Sequence, residues 1–188
     1  MFDALFTTTT EYQKLSHALS GKGACALFGL PASGRAQVYA ALCRQLDKPL
    51  CIVTPGEAEA TRFAADLNTL GIPAAVFPAR DYVLRPIEGT AREYEYRRLA
   101  VLGELVGGRL RAVAVPAEAL TQFTTPKEDF CANTRTLHAG DTLLRDDLLA
   151  ALFGAGYTRR AQVDGPGQFS VRGDIVDIFA PVSYTHLR

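Results

Sequence analysis

Four short apolar runs constrain this chain more than any other feature: ACALFGL (24–30), LCIVT (50–54), AAVFP (74–78) and RAVAVP (111–116). Each has the length of a strand, and segments of helical periodicity separate them. Tyr12, Leu15 and Leu19 predict a helix over 11–20 that ends near Gly21. Two more are predicted over 33–46 and 57–70, the latter stopped by Gly71 and Pro73. A longer one starts at about Ala91, with Leu99, Leu102 and Leu105 facing inward. Nearly all-apolar strands that alternate with helices belong to a parallel sheet covered on both faces. The expectation is a Rossmann-like α/β domain over residues 1–120, with 79–90 as a loop.

Beyond residue 120 the pattern changes. TPKEDFCANTRTLHAGD is polar and reads as turn-rich, and DTLLRDDLLAALFGAGY reads as a helix with Asp141 as its cap. RRAQVDGPGQFSVRGDIVDIFAP reads as short strands joined by glycine turns. A small α+β domain is therefore expected over 121–182.

Composition narrows the function classes. Twenty basic residues balance twenty acidic ones, so no global field draws the chain to nucleic acid or an anionic membrane. No apolar run reaches the ~20 residues of a membrane span, and no signal peptide heads the sequence. Cys25, Cys43, Cys51 and Cys131 form no CxxC pair and have no histidine at metal-ligand spacing. They read as reduced core residues of a cytoplasmic protein. No cofactor or metal is expected.

Gly29 and Gly34 stand at the spacing of GxxxxGK[ST] between a strand-like run and a helix. The residues that do the chemistry of that motif differ. Arg35 replaces the lysine with a planar fork, and Ala36 has no oxygen for Mg²⁺. Pro31 removes one loop N–H, and LCIVTP, AAVFPA and RAVAVP end without the carboxylate of a Walker B strand. The loop reads as a degenerate P-loop without catalytic work.

The second concentrated signal is GQFSVRGDIVDIFAP (167–181). Phe169 and Val171 alternate with Ser170 and Arg172, and Gly173–Asp174 suits a tight reversal. Arg172 then ends a strand on its polar face. It is either a bidentate anchor for a partner's carboxylate or a solvated arginine paired with Asp174 or Asp177. Arg159 and Arg160 either extend a basic patch or cap the preceding helix. Phe179 reads as a core residue. Asp174 and Asp177 lack the histidine or third carboxylate that a catalytic pair would need.

Most of the chain carries a family resemblance. LHAGDTLLRDDLLAALFGAGY and GYTRRAQVDGPGQFSVRGDIVDIFAP, with VFPARDYVLRP, RRLAVLGEL and AVAVPAEALTQ, resemble the N-terminal UvrB-homology module of the bacterial transcription-repair coupling factors. The resemblance spans about 20–182 and implies a non-catalytic adaptor whose second domain binds UvrA, the damage-recognition ATPase of nucleotide excision repair. It implies that Arg172, the arginine of the VRG motif, serves that contact, and that DNA and RNA polymerase are partners of parts outside this chain; Arg159 and Phe179 are further candidate partner-binding residues. UvrB carries another arginine where Ser170 stands. The alternative reading is a UvrB-like or other P-loop ATPase. Arg35, Ala36 and the short segment between Phe77 and Ala91 favour the coupling factors. Residues 183–188 do not match the family pattern, which implies a shortened frame and an open sheet edge. The expected behaviour is self-association by light scattering; a monomer that melts cooperatively would contradict it.

Overall fold

The computed structural model describes residues 7–21, 24–46, 48–80 and 91–181. They fall into two compact units: one is built from the residues up to Arg80 with Gly107–Gln122, the other from the helix at Ala91–Val106 and the residues from Phe123 onward.

The first unit contains α1 (Thr10–Ser20), α2 (Ala32–Gln45), β1 (Leu50–Thr54), α3 (Glu57–Thr69), β2 (Ala74–Val76), β3 (Ala112–Pro116) and the short α5 (Ala117–Leu120). Its sheet is parallel throughout in the order β1–β3–β2, with Ile52 opposite Ala114 and Val76 opposite the same residue on the other side. The central strand β3 is buried along its whole length, as an apolar AVAVP run requires. Ile52, Ala112 and Ala114 meet Ala36, Ala40 and Cys43 of α2 and Ala60, Phe63, Ala64 and Leu67 of α3 in one core. Small residues on α2 allow the helix to lie close to the sheet.

Arginines and a glycine close the helix ends. Arg111, one residue before β3, donates from Nη2 to Cys43 O (2.5 Å) and Leu46 O (2.6 Å), so a cation meets the carbonyl end of α2. At the end of α3, Gly71 (φ +75°) donates to Asn68 O and Ile72 N to Leu67 O. This is a Schellman closure, in which a positive φ selects glycine.

Three expectations fail. The run 24–30 is not a strand: its backbone pairs with no sheet edge, and Leu27 and Phe28 are 46% and 87% exposed. Apolar composition makes a strand only where a neighbour's backbone groups meet it. Strand β1 is buried on one face only, since α2 and α3 cover the side of Ile52 and leave Val53 54% exposed. Of the cysteines only Cys43 is a core residue; Cys25, Cys51 and Cys131 are exposed, and all four are free.

The second unit holds α4 (Ala91–Val106), α6 (Lys127–Ala132), α7 (Arg145–Gly154), β4 (Thr158–Arg159), β5 (Gln168–Arg172) and β6 (Ile175–Phe179). On α4 the expected leucine stripe is only half-buried, whereas Val101 and Arg98 are buried. Arg98 Nη2 donates to Thr124 Oγ1 at 2.9 Å. Helix α6 lies inside the segment expected to be turn-rich, because Pro126 at its N-cap, followed by Lys-Glu-Asp, is a helix-start signal. Asp141 does not cap α7, which begins at Arg145. Its carboxylate instead accepts the His138 N–H (2.8 Å) and closes a turn.

A second Schellman closure ends α7, with Gly156 (φ +81°) bonded to Phe153 O and Tyr157 N to Leu152 O, and it delivers the chain directly into β4. Strand β4 pairs parallel with β5, and β5 pairs antiparallel with β6. Phe169, fully buried, meets Phe153 of α7 edge to face with ring centroids 5.2 Å apart. Among the described residues no helix is long and apolar enough to cross a membrane.

Gly167, at the entrance to β5, has φ +72°, and a Cβ there would stand 2.6 Å from the Tyr96 hydroxyl of α4. Gly167→Ala is expected to cost about 1–3 kcal/mol in urea unfolding, from backbone strain and the tyrosine contact together. Tyr96→Phe in that background removes the clashing oxygen and should recover part of the loss. A neutral Gly167→Ala would contradict this account of the contact.

Candidate partner-binding face and the glycine loop

The glycine loop contains the positive-φ residue Gly29 (φ +81°) and runs into α2, whose first turn includes Gly34. Pro31 occupies the N-cap with no side-chain hydrogen bond. Arg35 turns toward the neighbouring helix, where its Nη1 lies 3.9 Å from Glu59 Oε1, and Arg62 approaches the same carboxylate at 3.6 Å. Ala36 is 3% exposed and packs in the core with Ala40, Phe63 and Ile52. The methyl at this position therefore fills the interior, and the nearby cation is engaged with a carboxylate.

The hairpin is built by its turn. Gly173 (φ +61°) and Asp174 connect Arg172 to its partner Ile175 in a two-residue reversal. A positive φ at the first central position suits the right-handed twist of the two strands. The resulting register pairs Gln168 with Phe179, Ser170 with Asp177 and Arg172 with Ile175, so these six side chains share one face. Phe169, Val171, Val176 and Ile178 take the other face, on which Phe169 meets α7. Helix α7 also reaches the turn, where Arg145 Nη1 donates to Gly173 O at 3.5 Å.

On the outer face Arg172 Nη2 and Asp177 Oδ2 are 2.6 Å apart, and Ser170 Oγ donates to the same oxygen at 3.1 Å. Ser170 is 1% exposed, whereas the Arg172 side chain is 70% exposed. The pairing with Asp177, one of the two partners read from the sequence, is thus formed, and Ser170 lies beneath it rather than in solvent. Ile175 (61% exposed) and Phe179 (43%) flank the pair. Phe179 is therefore not the core residue that its apolar character suggested, because strand alternation places it outside. The combination is an exposed guanidinium between two exposed apolar side chains, a composition enriched at the anchors of protein interfaces.

Arg159 does not join this face. It pairs with Phe169 and so lies on the α7 side, while Thr158 shares the face of Arg172. The carbonyl end of α7 is met by backbone N–H groups of Ala155, Gly156 and Tyr157. Near it, burial pushes the Tyr157 hydroxyl up from its ordinary pKa, with Tyr96 adding to the effect. Ser170, Ile175 and Asp177 join Arg172 on the outer face. The signal for them was the register, which follows once Gly173–Asp174 is recognised as a two-residue turn.

Hydrogen bonds from Arg172 and then Ser170 hold the Asp177 carboxyl below its usual pKa of 3.8. A depressed folded-state pKa contributes stability above the unfolded pKa, and that contribution disappears as pH falls through the folded one. Wild type and Asp177→Asn, compared by urea midpoint from about pH 6 downward, should differ in the wild type's favour at the upper end, with the gap narrowing as pH falls below the ordinary carboxylate range. A gap that does not change with pH would show that the carboxylate's charge has no part in the hairpin.

Residues 136–188 match the UvrB interaction domain family, a range that includes α7 and the whole three-stranded sheet. The transcription-repair-coupling factor of Bacillus subtilis is 29% identical over 164 residues, 86% of this chain and 14% of that protein. Those of Staphylococcus aureus (strain USA300) and Mycobacterium bovis are 25% and 34% identical over 93% and 95% of the chain, each over 15% of their own length. The chain thus spans about one-seventh of the relatives it matches. Likeness to the bacterial transcription-repair-coupling factors thus runs through both units, and the match to the UvrB interaction domain lies within the second.

Proposed function

We propose that this chain is a non-catalytic adaptor that recruits UvrA to stalled RNA polymerase for nucleotide excision repair, and that it works in the cytoplasm. The observation that supports this most is the exposed Arg172, set between Ile175 and Phe179 inside the segment that matches the UvrB interaction domain. In this reading residues 121–182 dock the partner and residues 1–120 are the scaffold. Contacts with DNA and RNA polymerase belong to parts of the relatives that this chain does not span. Arg172 and Phe179 contribute directly to docking on the outer face, and Arg159, on the edge strand β4, contributes from the rim of the sheet.

The glycine loop with Gly29, Gly34, Arg35 and Ala36 is, in the same reading, a degenerate P-loop. Its cation is shared with Glu59 and its metal-ligand position is a buried methyl, which supports a scaffold role. Calorimetric titration of UvrA into the chain should give saturable binding, and Arg172→Ala should lose at least ~2 kcal/mol, as an anchor in a desolvated contact does. Circular dichroism of both proteins checks that they are folded. Equal affinities would remove Arg172 from the interface. Mg²⁺-dependent ATP binding should be absent, and its appearance would favour the ATPase alternative.

A further inference from the structure

The Arg172–Asp177 pair looks at first like an ordinary surface ion pair, and exposed pairs of that kind contribute little to stability. Three observations distinguish it. The carboxylate oxygen that meets Arg172 at 2.6 Å is the same one that accepts the Ser170 hydroxyl. Ser170 is buried, so the carboxylate is held from below by a fixed group. Asp177 lies opposite Ser170 in the strand register, so no loop has to order itself for the network to form. The guanidinium is the outermost member of a short chain of contacts that begins in the interior of the sheet.

We propose that Asp177 is a positioning residue: anchored by Ser170, it holds Arg172 so that the remaining guanidinium donors face a carboxylate on the partner, with Ile175 and Phe179 gripping apolar groups beside it. This rests on the reading that UvrA docks on this face, and it specifies the epitope as an acidic residue flanked by apolar ones. An arginine has five donors, and its contact with Asp177 uses one nitrogen, Nη2. Holding a long side chain in its bound rotamer before the partner arrives removes part of the ordering cost of association. Asp177 also offsets the charge of Arg172, which disfavours partners that offer only a diffuse negative potential and favours one that can form a paired, directional contact.

The test is a double-mutant cycle on the intact chain, with UvrA affinity measured by calorimetry and folding by circular dichroism. Asp177→Asn should weaken binding roughly tenfold, the scale of one immobilised side chain. In the Arg172→Ala background the same change should have no further effect, because Asp177 acts only through Arg172. Ser170→Ala should weaken binding in the same direction and likewise lose its effect without Arg172. Asp177→Glu, which keeps the charge, should bind more tightly than Asp177→Asn.

Wild-type affinity for Asp177→Asn, or losses that multiply with those of Arg172→Ala, would overturn the positioning role while leaving the docking face intact. A folded wild type that does not bind UvrA, or an Arg172→Ala variant that binds as tightly as wild type, would overturn the docking reading itself, and the positioning role with it.

Discussion

The register of the β5–β6 hairpin is the constraint on which the candidate site depends. Side chains alternate across a strand, so a one-residue slip of β5 would send Arg172 to the face of α7 and bring Phe169 out into water, and a slip of β6 would carry Ile175 and Phe179 away from Arg172. The two-residue turn at Gly173–Asp174 prevents that slip from one end, and the buried Phe169–Phe153 contact prevents it from the other. Arg172 is thus a surface residue whose position is set by the interior, a property expected of an anchor that has to meet a partner in one orientation.

In the first unit the same kind of control comes from β3. Buried throughout, it holds β1 and β2 on either side and packs against α2 and α3. Arg111 joins the start of this strand to the carbonyl end of α2. Because Ala36 is part of the resulting core, the position that would bear a metal-ligating hydroxyl in a nucleotide-binding loop has been absorbed into packing. A hydroxyl placed there would have to find a partner in an apolar surrounding or impose a desolvation cost. The identity of residue 36 therefore bears on both stability and the absence of chemistry in the proposed function.

Much of the architecture was legible because local signals agreed with one another. Gly71 and Gly156 mark helix ends that close in the Schellman pattern, and AVAVP has the continuous apolar character of a strand buried on both faces. The failures have physical causes. ACALFGL has the composition of a strand but no paired neighbour, a tertiary condition that composition does not encode. The spacing of Leu99, Leu102 and Leu105 predicts the inner stripe of α4, yet Arg98 is more deeply buried, with its guanidinium bonded to Thr124. Asp141 has a capping side chain, and a local turn with His138 uses it. At the site, Arg172 and Phe179 are visible as residues and their shared face follows from the Gly173–Asp174 turn, whereas the separation of Arg159 from it depends on how β4 pairs with β5.

The central claim is that UvrA meets the outer face of this hairpin and leaves the glycine loop free. Hydrogen–deuterium exchange of the chain, followed by mass spectrometry with and without UvrA, tests it directly. The account predicts slowed exchange over residues 168–179 and no change over 29–36. Protection at the glycine loop with an unchanged hairpin would contradict it.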